Sequence, residues 1–470
     1  MATVAEVRLW GRAVGAVSLE EGATIAAFQF TAPFVRSGIE LSPVVMPLSS
    51  RVYQFPSLAR RSFHGLPGLL ADSLPDRFGN ALIDAWLASQ GRRPEGFDAI
   101  ERLCYTGVRG MGALEFAPAA GPPLRQSAKV DVDSLADLAS EILTHRNSLQ
   151  VSFSPEHRHH GLTEILRVGT SAGGARAKAI IAWNPKTNAV RSGQVRAPEG
   201  FGYWLLKFDG VKANKDRELE DPKGYTVIEY AYSLMARDAG IEMSECRLLE
   251  EGGRRHFMTR RFDRQADGRK LHMQSLAALA HFDFNVAQAY SYEQAFDVIK
   301  RLGLPMRSLE QQFRRMTFNV VARNQDDHVK NIAFLMDKSG NWSLSPAFDV
   351  VYAFNPTGDW TSRHQMTING KADNFTLEDF RTCAQVAGLK QGRGVEILRE
   401  VVETVKNWPA YADTVGLSAG HRDAIARNLR LSFDGLSGRR KATKTKAGTR
   451  RGKASSYPNG TPRRGAHPLQ

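Results

Sequence analysis

The sequence predicts an α+β protein in two lobes followed by a tail, and three observations carry that prediction. Short apolar runs suited to strands dominate up to about residue 264, apolar residues at helical spacing dominate from there to about 436, and the last 34 residues contain almost nothing to bury. At 470 residues, with 42% hydrophobic and 24% charged, the chain has room for two or three domains of roughly 150 residues and enough apolar content for a sizeable core.

Residues 5 to about 32 read as three short strands, VRLW, AVGAVSL and TIAAFQF, broken by Gly11 and by the turn Glu20-Glu21-Gly22. Residues 66–91 have helical spacing, with Leu82, Ile83 and Trp86 on one face and Gly91 at the stop. CYTGVRGMGALEFAP is a glycine-rich turn running into a strand, and Gly121-Pro122-Pro123 is a linker, so a small α+β domain is expected over 1–124. In 125–264, VDVDSLADLASEILTHR is a helix, AKAIIAW and AVRSGQV form a hairpin, and GYWLLKFDG is a further strand. TVIEYAYSLMARDAG is then a helix with Gly240 at its C-cap, and two strands flank Gly252-Gly253. In 265–436 helical spacing marks 292–303, 308–323, 376–387, 393–406 and 418–434, interrupted by the strand pair NIAFLMD and WSLSPAFDV. Arg314 and Arg315 read as an ordinary polar helix face.

The net charge of +14 points first to nucleic acid. Ten basic and no acidic residues lie in 437–470, however, which leaves the first 436 residues at only +4. That segment is expected to be disordered, as a solubilising tail or as an arm that contacts nucleic acid directly. Cys104, Cys246 and Cys383 form no CxxC pair, and no apolar stretch approaches the roughly 20 residues of a membrane span. A soluble protein of a reducing cytoplasm, without membrane contact, is the expectation. His157, His159 and His160 read as a solvated loop, since no acidic or cysteine cluster accompanies them.

The polar residues supply the chemistry. The run Asn324-Gln325-Asp326-Asp327-His328-Val329-Lys330-Asn331 leaves an amphipathic helix and enters an apolar strand, and it is richer in polar side chains than such a corner requires. Asp326 and Asn331 are five apart, and Asp349 lies 18 further on, at the end of the paired strand. Phosphoryl transfer from ATP needs a carboxylate to orient and deprotonate the attacking hydroxyl, and oxygen ligands to hold Mg²⁺ against the phosphates. D-x-x-x-x-N followed by an acidic residue beyond a hairpin is the arrangement of the catalytic and metal loops in protein kinases. Phe348-Asp349-Val350 stands where those enzymes carry Asp-Phe-Gly, and an Asx-rich cap and turn is the structural alternative.

Three upstream features bear on the choice. Lys207 in WLLKF is either an edge-strand lysine that snorkels or a phosphate-contacting lysine, with Glu229, 22 residues on, as its partner and Glu218 and Glu220 as alternatives. The small-residue run from Gly169 to Lys178 exposes successive N–H groups, Gly173 and Gly174 among them, that suit phosphate oxygens; a flexible turn before the hairpin is the other reading. Arg260-Arg261-Phe262-Asp263-Arg264 sits between the two halves, where a hinge sets Phe262 near an adenine ring and a charged strand end is the plainer reading.

In this combination the chain resembles the HipA family of bacterial serine/threonine kinases, the toxins of type II toxin–antitoxin pairs. The matching pieces are SLPDRFGNALIDAW, GVRGMGAL, TSAGGARAKA, WLLKFDG, RRFDR, the run from Asp326 to Asn331, and SPAFDVVY, in order from about residue 5 to 430. The resemblance implies a protein-kinase-like bilobal fold with an N-terminal α+β domain, ATP and Mg²⁺ as cofactors, and phosphorylation of a translation protein, typically an aminoacyl-tRNA synthetase. It assigns Asp326 as catalytic base, Asn331 and Asp349 to Mg²⁺, Lys207 to ATP and Ser171 to autophosphorylation, with Thr170 beside it. His328 is expected to brace the catalytic loop. It implies also a helix-turn-helix antitoxin as partner and operator DNA reached through that antitoxin. Arg260 departs from the acidic residue usual at the hinge, SLPDRFG departs from the LPEG form, and the tail is outside the shared pattern. A phosphoinositide-type lipid kinase and a DNA-associated regulator with a silent kinase are the competing readings.

Overall fold

The first sheet is built from the N-terminal strands in the order Val52–Tyr53, Ala27–Phe30, Arg12–Leu19, Thr3–Leu9, Leu114–Ala117, all antiparallel. Its alternating residues Val7, Leu9, Val17 and Phe28 face one core, closed by Leu69, Leu70, Ile100 and Leu103 from short helices. The structure is a computed structural model, which describes residues 2–122, 129–144, 165–166, 168–169, 176–211, 215–216, 219–220, 224–265 and 267–436. Met1–Leu436 forms one compact unit, and Ser437–Gln470 lies outside the described residues, as do Ser171, Gly173, Gly174, Glu218 and the three clustered histidines.

A second antiparallel sheet has the order Cys246–Glu251, Arg254–Arg260, Gly202–Lys207, Lys178–Trp183, Val190–Ser192. The helix Tyr225–Asp238 contributes Ile228, Tyr232 and Met235 to a core shared with the helical half. On the other side, Phe78, Leu82 and Ile83 of the helix Arg77–Ser89 are buried with Val132 and Leu135 of the helix Val132–Thr144 and with Ile181 and Leu206 of the sheet. The helical half contains Tyr292–Arg301, Met306–Val321, Leu377–Ala387, Arg393–Val405 and Trp408–Thr414, together with a three-stranded sheet of His272–Ser275, Ala333–Met336 and Trp342–Leu344. No helix among the described residues is long and apolar enough to cross a membrane. All three cysteines are free and buried.

Several expectations are corrected. The stretch 66–91 is two helices, Gly68–Ala71 and Arg77–Ser89, because Pro75 interrupts it and Asp76 caps the second by accepting from Gly79 N at 2.7 Å. The glycine-rich turn begins inside a helix, Ala99–Thr106, whose capping box joins Asp98 and Glu101. The last helix spans only Ala419–Ala426, and the chain then lies along the end of Met306–Val321, with Arg430 N donating to Val321 O at 2.9 Å. Arg314 and Arg315 are buried rather than on a polar face; Arg315 donates to Ser345 O at 2.6 Å and Arg314 pairs with Glu400 at 2.7 Å.

The N-terminal region is tied to the rest of the unit by polar contacts that matter for the site. Asp72 accepts from Ser275 N at 2.7 Å and from Ser275 Oγ at 2.8 Å, while His281 Nε2 accepts from Gly68 N at 3.0 Å. Asp263 pairs with Arg261 and Arg264, each at 2.7 Å, and accepts from Gly112 N at 2.7 Å. RRFDR is therefore a buried clamp on the GVRGMG turn, with only Arg260 exposed, and not a charged surface strand end.

Candidate active site

Lys207 ends the central strand of the second sheet, with neighbours on both sides, so an edge position is excluded. Its Nζ donates to Glu229 Oε1 at 2.7 Å and to Asp349 Oδ1 at 2.5 Å. Helix Tyr225–Asp238 carries Glu229 beneath the sheet, and the turn after Ser345 carries Asp349 in the left-handed conformation, φ +57°. Burial alone lowers the lysine pKa, but Asp349 and then Glu229 outweigh it and raise it. Asp349 is held far below the usual carboxylate range by Lys207 in spite of its own burial, whereas burial pushes Glu229 upward. One ammonium cannot neutralise two carboxylates, so the trio carries a net negative charge when all three are ionised, with Asp349 facing the opening.

Asp326 and Asn331 belong to one loop that closes on itself. Asn331, in the turn Val329–Asn331, donates from Nδ2 to the Asp326 carbonyl at 2.9 Å, which is what the five-residue spacing accomplishes structurally. The Asp326 carboxylate accepts from Trp360 Nε1 at 2.6 Å, and His328 Nε2 is 3.9 Å from it. The adjacent Asp327 points the other way and is fully buried, accepting from Tyr292 Oη at 2.7 Å, His364 Nδ1 at 2.8 Å and Gln365 N at 2.8 Å. Burial opposes its ionisation, yet these partners lower its pKa.

The Lys207 trio and Asn331 open into a cleft of about 900 Å³, counted out to its mouth. Its lining includes Lys207, Glu229, His328, Asn331, Phe348 and Asp349 together with Asp72, Ser73, Leu74, Asp76 and Met111 of the N-terminal region. A smaller pocket alongside joins Asp326 and Asp349 to Arg176, whose guanidinium stacks 3.7 Å from the Tyr225 ring centroid. Phe262 packs one ring behind the cleft, 5.6 Å from Phe348. The donor set suits a hard cation: a carboxylate and an amide oxygen are the ligands Mg²⁺ takes beside phosphates. Among the described residues no group of three or more His, Cys, Asp or Glu forms a denser metal site.

Residues 170–408, just over half of the chain, match the family model of the HipA-like C-terminal domain, and residues 5–117 match that of the HipA N-terminal domain. The chain belongs to the HipA family. The HipA, HipB and operator DNA complex of the Shewanella oneidensis MR-1 toxin–antitoxin system contains a chain of similar fold, with 17% identity and a TM-score of 0.62 over 90% of this chain and 94% of that one. Comparison with curated proteins finds no match.

Other residues of this HipA chain reach the site without having been legible as site residues. Lys178, directly opposite Lys207 in the sheet, pairs with Asp76 of the N-terminal region at 2.9 Å, both buried. Trp360, His364 and Arg430 surround the Asp326-Asp327 doublet from 33 to 104 residues away in sequence. The doublet itself was the signal that two carboxylates do separate jobs, but nothing local names their partners.

Proposed function

We propose that this HipA-family chain is an ATP- and Mg²⁺-dependent serine/threonine protein kinase, acting as the toxin of a type II toxin–antitoxin system in the cytoplasm. The observation that carries the reading is the bridge Glu229–Lys207–Asp349, which lines a cleft together with Asn331 and whose Asp349 also lines the adjoining pocket with Asp326. The five-stranded antiparallel sheet, the helix Tyr225–Asp238 that carries Glu229 and the helical half beyond support a protein-kinase-like bilobal arrangement.

In this reading Asp326, oriented by the Trp360 indole, takes the proton of the attacking hydroxyl. Lys207 exchanges its Asp349 contact for phosphate oxygens, and Glu229 keeps the ammonium pointed at them. Asn331 and Asp349 hold Mg²⁺, which supplies charge neutralisation to the phosphates when bound. His328 braces the loop. Gly173 and Gly174 offer backbone N–H groups to ATP, Phe262 stands near the adenine through Phe348, and Ser171 is the autophosphorylated residue. The cognate partner is a helix-turn-helix antitoxin, through which operator DNA is reached; the Shewanella complex of HipA, HipB and operator DNA supports that part. The target is a protein of translation, of the aminoacyl-tRNA synthetase kind.

Incubation of the full chain with labelled ATP and Mg²⁺ tests this. Label is expected on the peptide containing Ser171 and on one protein of a cell extract, with at least a hundredfold loss in Asp326→Ala. Equal labelling of Asp326→Ala removes Asp326 from its role, and labelling of phosphoinositide vesicles instead of protein replaces the protein-kinase reading.

A further inference from the structure

The buried side of the catalytic loop is organised by a residue from the far end of the compact unit. Arg430 Nη1 lies 2.9 Å from His364 Nε2, and His364 Nδ1 lies 2.8 Å from Asp327 Oδ2. A guanidinium only donates, so Nε2 accepts; the ring therefore carries its proton on Nδ1 and donates it to Asp327. Arg430 is held in turn by Asp373, by Gln325 Oε1 at 3.4 Å and by the Phe375 ring at 5.4 Å. Gln365, next to His364, donates its backbone N–H to Asp327 and its side-chain amide to the Trp360 carbonyl, and Trp360 donates to Asp326. The segment Trp360–Gln365 thus touches both carboxylates of the doublet, one facing the pocket and one facing the core, and Arg430 is the cation behind it.

We propose that Arg430 is a positioning residue for Asp326, acting through His364 and Asp327. This rests on the kinase reading of Asp326. The chain Arg430–His364–Asp327 selects one imidazole tautomer, that tautomer donates to Asp327 Oδ2 beside Tyr292 Oη, and the orientation of Asp327 sets the backbone from which Asp326 projects. Displacing a reacting group by a fraction of an ångström is enough to slow chemistry without weakening nucleotide binding.

The test compares kcat and KM for ATP in labelled-phosphate transfer by the full chain, with thermal unfolding measured beside them. Arg430→Met and His364→Phe are expected to lower kcat about tenfold or more while KM for ATP stays within about twofold. Arg430→Lys, which still donates to Nε2, and His364→Gln, whose amide both donates and accepts, are expected to recover most of the rate. Where Arg430→Met does not fold, His364→Phe assayed well below its unfolding temperature decides the same question. An active wild type whose Arg430→Met and His364→Phe variants keep their kcat overturns this proposal alone, as do conservative variants no better than the disruptive ones. A wild type that transfers no phosphate removes the kinase reading and this proposal with it.

Discussion

Lys207 serves two carboxylates in a site where it is nearly inaccessible, so its removal has two separable effects. Lys207→Met leaves Glu229 and Asp349 facing each other without their bridging cation, with only the more distant Arg176 and Lys178 to offset them, which costs about 3–5 kcal/mol of stability as for a broken buried pair. The double variant Lys207→Met/Glu229→Met is expected to recover part of that loss, because it removes one of the two stranded carboxylates. Urea denaturation measures both, and ATP-dependent labelling is expected to be absent in both. A recovery of stability without recovery of labelling separates packing from chemistry. At this scale the types and order of Lys207, Asp326, Asn331 and Asp349 were legible, since chemistry restricts which residues suffice and the chain order is linear. Lys178–Asp76 and the His364–Arg430 contact were not, because an ion pair between residues 102 apart leaves no local pattern.

Elements follow the same rule. Helices with a sustained apolar stripe, such as Met306–Val321 and Arg393–Val405, were readable within two residues of their ends, whereas Ala99–Thr106 was hidden by the glycines after it. The span 418–434 was overextended because residues 427–433 keep helical spacing while Arg430 N turns to Val321 O at a neighbouring helix end. The short helix Gly68–Ala71 shows why a small residue stands at an interface: a Cβ on Gly68 falls 2.4 Å from Ala278 O and 2.6 Å from His281 Cδ2. Gly68→Ala forces the N-terminal region away from the wall it shares with the cleft. An overpacking cost of about 1–3 kcal/mol is expected, together with faster proteolytic cleavage between the N-terminal region and the rest; unchanged unfolding and cleavage rates count against the contact.

Across the whole molecule, two buried histidines, His256 and His272, and the partly buried His281 contribute to the response to acid. Burial lowers His256 to about 4, His272 to about 3 and His281 to about 4, against about 6.5 in an unfolded chain. Each is neutral when folded and takes up a proton on unfolding below about 6.5, so stability is full above that pH and falls as pH drops toward the folded values. The loss reaches about 3 kcal/mol each for His256 and His281 and about 5 kcal/mol for His272 at most. Denaturation midpoints are expected to decline steadily from pH 6.5 to 4, and to decline less in His272→Asn; a flat profile over that range contradicts the assignment. The charge excess divides differently, since 437–470 carries ten of the net fourteen positive charges and residues 1–436 carry the other four. Arg430 sits seven residues before that division, which gives the C-terminus a sharp functional edge. Trimming from the end back to Leu436 takes away charge and leaves the loop braces in place. Trimming a further seven residues removes the Arg430 guanidinium, so on the proposed kinase reading a short exoproteolytic overrun past the tail leaves the Asp326 loop without the His364 contact that braces it.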